Sequence, residues 1–149
     1  MNRRALEFCR SRFCWHRGRR NVPLRVELKP FERIVIGQSV ITNSETRAIF
    51  LIDGETPILR EKDILTFETA DSPAKRIYLA VQLMYINDNV DRLTQDYFAL
   101  INDIVTAAPS TTPIVDEINN EILTGSLYKA LKAAKKLIQY EQGLLRHAT

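Results

Sequence analysis

Glycine and histidine are scarce in this sequence, and their scarcity excludes several classes of protein. Five glycines occur among 149 residues, and no GxSxG, P-loop, HExxH or CxxC motif is present, so no phosphate-binding loop or common hydrolase motif is expected. The two histidines, His16 and His147, lie near the chain ends, away from any core active site that would need a general base. The carboxylates Asp116, Glu117 and Glu121 lie along one predicted helix. This pattern is typical of a solvent-facing helix surface rather than of an active site. We therefore expect no enzymatic activity and no cofactor.

Long hydrophobic runs and cysteines are also few. No run approaches the roughly 18 residues of a membrane-spanning helix, so we expect no membrane contact. Both cysteines, Cys9 and Cys14, lie close to His16. Zinc binding would need a fourth ligand and a different spacing, so unpaired thiols and no metal are the favoured interpretation. Residues 23–149 lack cysteine, need no oxidising compartment, and are expected to be cytoplasmic.

Acidic residues are almost absent from the first part of the chain. Residues 1–22 contain seven arginines and one glutamate, a net charge of +6, whereas the remainder carries −3. Three interpretations are open for residues 1–22: a disordered arm, an arm that binds phosphates, or upstream sequence translated from a start codon placed before Val22. We treat residues 1–22 as a basic extension and residues 23–149 as the folded domain.

A period of two predicts β-strands between residues 23 and 68. Leu24, Val26 and Leu28 alternate with charged residues, the pattern of a half-buried strand. Four further strands are predicted, at 32–36, from 40–41 onward, at 47–52 and at 57–65, separated by turn signals. The run 47–52 is apolar enough to predict coverage on both faces. Because so small a sheet is marginal alone, we expect support from helices or from strand pairing in a homodimer.

A period of 3.6 predicts four helices between residues 69 and 149. Ser72-Pro73 predicts the start of the first helix, Thr112-Pro113 that of the third, and Gly125 the left-handed end of the third. Gln82 is predicted at a polar position of the first helix. The fourth helix has a lysine face that is typical of a solvated surface: Lys129, Lys132, Lys135 and Lys136. The chain is therefore predicted to be α+β, with a small antiparallel β unit of about five strands followed by a small bundle of about four helices.

Five segments, taken in order, resemble the FlbT family of flagellar-biosynthesis regulators: LRVELKPFERIVIG, PILREKDIL, SPAKRIYLAVQLMYI, AAP...PIVDEIN and YKALKAAKKLIQYE. The likeness spans about Leu24 to Leu145. It implies post-transcriptional control of flagellin, because proteins of this family are thought to associate with the 5′ untranslated region of flagellin mRNA and to alter its stability and translation. Repression is the usual description and activation is also described, so the resemblance does not show whether this protein represses or activates flagellin synthesis.

A shorter likeness concerns the strand half. ERIVIG at residues 32–37 is similar to ESIMIG of the carbon-storage-regulator family, small dimeric β proteins that repress mRNAs. Arg47 matches an arginine that opens a strand there, and Arg60 follows it by 13 residues in LREKDI, as HREEIY does in that family. The likeness implies that Arg60 occupies the position of an RNA-contacting arginine. The chain departs from the family in having Leu59 for the histidine and six fewer residues before Arg47.

Two functions are open at this point. In the first, strand-edge cations neutralise phosphates and stack on unpaired bases of the flagellin mRNA leader; the candidate residues are Arg25, Arg33, Arg47, Arg60 and Lys62. Alternating surface ion pairs are the competing interpretation of residues 60–63. In the second function, the helical half is an adaptor that binds another flagellar regulatory protein through an apolar groove, with tyrosines as anchors.

Overall fold

The computed structural model describes residues 23–148, and the predictions for residues 1–22, including the thiol, zinc and start-codon interpretations, lie outside them. The strands are β1 (Leu24–Leu28), β2 (Arg33–Ile36), β3 (Ser39–Thr42), β4 (Ala48–Ile52) and β5 (Ile58–Arg60). The helices are α1 (Pro73–Asn87), α2 (Thr94–Ala107), α3 (Thr112–Leu123) and α4 (Leu127–His147). Single 3₁₀ turns occupy Glu61–Asp63 and Pro109–Thr111. The predicted α+β fold, strands before helices, is confirmed.

The strands form two small antiparallel sheets. β1 pairs with β4, and β2 lies between β3 and β5. Val26 lies opposite Phe50 in the first sheet, and Ile34 lies opposite Arg60 in the second. We call the β1–β4 pair the ribbon.

The three-stranded sheet lies between the ribbon and the helices. It can contact both, because alternate residues of a strand point to opposite faces of the sheet. Ile34 of β2 packs with Val26 and Leu28 of the ribbon. Its neighbour Val35, together with Leu59 of β5, packs against the helical core. Apolar side chains on both faces of the middle sheet therefore join the two halves of the molecule.

The helices bury a shared apolar core. α1 packs against α2 and α4, and α4 also packs against α3. Ile77, Val81 and Met84 of α1 are completely buried, which confirms the stripe with a period of 3.6. α4 faces them with small residues such as Ala130 and Ala134, which allow the two helices to approach closely.

The three predicted helix boundaries are confirmed. The Ser72 hydroxyl accepts a bond from the Lys75 amide at 3.3 Å, with Pro73 in the first helical position, and Gly125 ends α3 with φ of +74°. α3 begins at Thr112 with Pro113 in its first turn, as predicted, but the Thr112 hydroxyl donates to the Pro109 carbonyl and does not cap the helix. A hydroxyl used in this way does not satisfy the first amides of the helix.

Two strand predictions are also wrong in extent or burial. The fifth strand ends at Arg60 rather than near residue 65, because the next residues turn and Glu61 bonds back to Arg33. β4 is not covered on both faces within the single chain: Ile49 is 54% exposed and Leu51 66% exposed.

Asn43 fixes the loops at one end of the strands. Its buried side-chain amide donates to the carbonyls of Leu28, Lys29 and Thr46, and its oxygen accepts from the Ser44 amide at 2.9 Å. These bonds hold the β1–β2 loop against the β3–β4 loop, so Asn43 supports both loops.

Candidate functional site

Two of the five predicted RNA-binding cations are held in ion pairs outside the main cleft. The Arg33 guanidinium donates from Nε and Nη2 to Glu61 Oε1 at 2.9 and 2.8 Å. Arg47 bonds to Glu27 across the ribbon at 3.0 Å. Neither arginine lines the cleft described below, and each is paired with a carboxylate rather than free at a strand edge.

The Arg33–Glu61 pair also fixes the 3₁₀ turn that follows β5. Besides the guanidinium bonds, the Arg33 amide donates to Glu61 Oε2 at 3.1 Å. These bonds hold the pKa of the Glu61 carboxyl below its usual value. The carboxylate therefore stays charged at neutral pH and orients the segment that contains Lys62.

The other three predicted cations meet in one cleft of about 670 Å³. Arg25 comes from β1, Arg60 from the end of β5, and Lys62 from the 3₁₀ turn. Arg60 donates to the backbone carbonyl of Glu27, which fixes its guanidinium beside the ribbon. Within residues 23–148, neither Arg25 nor Lys62 forms an ion pair.

The opposite wall of the cleft comes from the helices, and it adds cations from the lysine face that the sequence predicts for the fourth helix. Lys132 and Lys135 of α4 both line the cleft. Lys135 is paired with Asp63, and the remaining carboxylate in the lining is Glu55. The cleft therefore has five cations against two carboxylates, in a chain whose residues 23–149 carry a net negative charge.

An exposed aromatic ring lies among these cations. Tyr128 is 50% exposed, and its ring centre is 6.0 Å from that of Tyr85. The Lys132 ammonium lies 4.7 Å from the centre of the Tyr128 ring, a cation–π distance. A flat ring beside positive charges can stack on a planar ligand whose linked groups are anionic.

Hydrogen bonds from α1 set the width of the cleft. The Tyr78 hydroxyl donates to the Asp63 carbonyl at 2.6 Å, and the Tyr85 hydroxyl accepts from the Ile58 amide at 3.1 Å. Burial, with the nearby Asp63 charge, raises the pKa of Tyr78 well above its ordinary value, so its hydroxyl remains a donor at neutral pH.

Gln82, predicted at a polar position of the first helix, is instead buried and completes this seam. The side chain is 3% exposed, and it exchanges two hydrogen bonds with the Leu65 backbone at 2.9 and 2.8 Å. A buried amide paired in this way satisfies the backbone hydrogen-bonding groups of a segment that forms no strand. It also holds the chain after β5 against α1.

The spacing of residues along α4 could have identified the wall of the cleft that the helices contribute. Tyr128, Lys132 and Lys135 follow the spacing i, i+4, i+7, which places them on one side of a helix. All four predicted lysines are exposed, but only Lys132 and Lys135 line the cleft, and Lys136 bonds instead to Glu117 of α3. The sequence could not show that the β5 segment packs opposite this stripe.

Across residues 23–148 no helix combines the length and apolar character needed to cross a membrane. The same residues hold no group of three or more histidine, cysteine, aspartate or glutamate side chains placed to bind a metal ion. A second, shallower groove lies between α2 and α3, beside the exposed ring of Phe98.

The chain is similar to proteins that are described as flagellar repressors. One, from Bradyrhizobium diazoefficiens, is named "Probable flagellum biosynthesis repressor protein FlbT 1" and is 62% identical over 81% of this chain and 84% of its own length. A Rhodopseudomonas palustris protein, "Probable flagellum biosynthesis repressor protein FlbT", is 57% identical over 83% of this chain and 98% of its own. "Flagellum biosynthesis repressor protein FlbT" of Caulobacter vibrioides is 28% identical over 86% and 93%.

No solved structure matches the chain. The family model described as "Flagellar protein FlbT" matches residues 24–145, which include the five strands, the cleft and nearly all of α4. By the extent of that match, the chain belongs to the flagellar protein FlbT family.

Proposed function

We propose that this protein regulates flagellin synthesis after transcription, by binding the 5′ untranslated region of flagellin mRNA in the cleft between its two halves. The regulatory part of the proposal is supported by the names of its relatives, which are flagellum biosynthesis repressors. The RNA-binding part is supported by one observation: cations from the strands and from α4 converge around the exposed ring of Tyr128.

The chemistry of the cleft suits single-stranded RNA. Unpaired bases can stack on tyrosine rings and guanidinium planes, whereas base-paired RNA hides its bases. In the proposed complex Arg25, Lys62 and Lys132 contact phosphates, and Tyr128 stacks on a base. Arg60 is fixed by the Glu27 carbonyl and presents its remaining donors to the RNA.

Arg33 and Arg47 have a different role in this proposal. Each is already paired with a carboxylate outside the cleft. Arg33 positions the segment that contains Lys62, and Arg47 supports the ribbon. Replacing either residue should therefore affect RNA binding less than replacing Arg60.

Gel-shift titration of the full chain with flagellin leader RNA tests the proposal. Tyr128→Ala should weaken binding about tenfold, the usual scale of one lost base stack, whereas Tyr128→Phe should retain it. Lys132→Ala should weaken binding severalfold, whereas Lys129→Ala, an exposed lysine of the same helix outside the cleft, should not. Equal affinities for Lys132→Ala, Lys129→Ala and the wild type would contradict the proposed site.

The adaptor function remains the second candidate. The groove between α2 and α3, with Phe98 55% exposed beside it, favours a protein ligand for the helical half. Purified protein that fails to bind leader RNA but retains a flagellar regulatory protein in a pull-down would favour this function over RNA binding. Loss of that partner in Phe98→Ala would then locate the site.

A further inference from the structure

The outer edge of β4 lacks the features that usually protect a sheet edge. β4 pairs with β1 on one side, and no other strand within residues 23–148 pairs with it. Its sequence, AIFLI, contains no charge, proline or glycine. Natural edge strands are commonly interrupted by such residues because an open apolar edge invites pairing with another chain.

The side chains of β4 are also too exposed for an apolar strand at the surface of a monomer. Ile49 and Leu51 on its outer face are 54% and 66% exposed, and Phe50 on its inner face is 37% exposed. Two-stranded ribbons are marginal in water. A neighbouring strand at this edge would reduce the exposure of all three side chains.

The charges that flank β4 indicate which strand that neighbour is. Arg47 precedes the strand and Asp53 follows it. If a second β4 pairs antiparallel about a two-fold axis at Phe50, Arg47 lies opposite Asp53 of the partner subunit, and the reciprocal pair forms on the other side of the axis. The same register places Ile49 opposite Leu51 of the partner subunit.

Other registers do not give this match. Parallel pairing in register sets Arg47 against another Arg47, and like charges opposite each other are destabilising. A slip of one residue would place the outer-face side chains of one strand beside the inner-face side chains of its partner. Arg47, Ile49, Leu51 and Asp53 share the outer face, so the symmetric register joins ionic and apolar contacts on that one face.

We infer that the protein forms a two-fold symmetric homodimer through antiparallel β4–β4 pairing, which joins two ribbons into one four-stranded sheet. Arg47 then lies between Glu27 of its own chain, at 3.0 Å, and Asp53 of the partner subunit. The occupant of the edge is a second copy of this chain, because the strand and its flanking charges are complementary to themselves. The inference does not depend on RNA binding.

Charge reversal tests the register. Arg47→Asp gives both chains acidic groups at positions 47 and 53, and Asp53→Arg gives both chains basic groups there. Each variant alone should dimerise at least about tenfold more weakly than the wild type, since two attractive pairs become repulsive. An equimolar mixture should recover the dimer, because the mixed pairs are again opposite in sign.

The experiment uses the full chain, with sedimentation velocity over a concentration series and circular dichroism to confirm folding. Asp103→Arg, the same charge change at an exposed position of α2, should dimerise like the wild type. Ile49→Lys, on the exposed face, should give a folded monomer. A monomeric wild type, wild-type dimerisation by either charge-reversed variant, or a mixture that stays monomeric would each overturn the inference.

Discussion

Phe31 has a backbone conformation that its side chain opposes. Lys29 to Glu32 form a tight turn, with the Glu32 amide bonded to the Lys29 carbonyl at 3.1 Å. Phe31, in the third position, has φ of +60° and is 65% exposed. Glycine is the usual residue there, because a Cβ strains the left-handed region.

Phe31→Gly should therefore raise the free energy of unfolding by about 1 kcal/mol, the approximate cost of a left-handed conformation for other residues. Urea denaturation measures the change. Phe31→Ala is the matched control, because it removes the ring but keeps the strain. A glycine variant no more stable than the alanine variant would show that the turn is not strained.

Ionisation of Tyr78 makes the free energy of unfolding depend on pH in the alkaline range. Its phenol is buried and bonded to the Asp63 carbonyl, and burial raises its pKa above the ordinary 10.0. The folded state therefore holds the proton more tightly than the unfolded state. This stabilisation is complete below pH 10 and is lost as the pH rises from 10 toward the higher pKa of the folded state.

Tyr78→Phe should reduce that dependence. Above pH 10 the free energy of unfolding of the variant should fall less steeply than that of the wild type, by up to about 1.4 kcal/mol per pH unit. Urea denaturation between pH 9 and 11 measures both slopes. Identical slopes would mean that Tyr78 ionises equally readily in the folded and unfolded states.

At the scale of elements, α4 supports the start of α1 through one carboxylate. Glu141 accepts bonds from the Ser72 hydroxyl at 2.5 Å and from the Ala74 amide at 3.1 Å. The first amides of a helix have no partner within the helix, and their positive end favours an anion. Glu141 therefore ties the two longest helices together where α1 begins.

Glu141→Ala should lower the free energy of unfolding by about 1–3 kcal/mol, because a partly buried hydroxyl and an amide lose their acceptor. Gln139→Ala, at an exposed position of the same helix, is the control for helix propensity and should change stability by less than about 0.5 kcal/mol. Thermal or urea unfolding measures both. Equal effects would indicate that the Glu141 bonds contribute nothing.

The elements themselves were largely predictable, since local patterns determine them. The strand at Leu24–Leu28 and the Ser72-Pro73 start are each indicated by the pattern of a single segment. Both are confirmed, although Leu24 is 51% exposed and only Val26 and Leu28 are buried. The fifth strand was predicted too long because its end depends on a distant residue, Arg33, bonding to Glu61. Local pattern also could not show that the outer face of β4 is open, because coverage depends on what packs there.

At the scale of the whole molecule, the cleft depends on how the two halves pack. Val35 and Leu59 of the three-stranded sheet pack against the helical core. This packing brings the end of β5 opposite Lys132 of α4. Arg25, Arg60 and Lys62 were predictable as candidates from sequence, but their grouping with Lys132 and Tyr128 was not. Such a grouping depends on tertiary contacts between segments far apart in the chain.

The salt dependence of RNA binding tests most directly whether both walls of the cleft act on one RNA. For the full chain with flagellin leader RNA, Lys62→Ala from the strand wall and Lys132→Ala from the helix wall should each reduce the slope of log affinity against log salt by about 0.7. The double variant should reduce it by about 1.4, as expected for single-stranded RNA that loses one and two phosphate contacts. Unchanged slopes, or a change for one wall alone, would contradict a shared cleft.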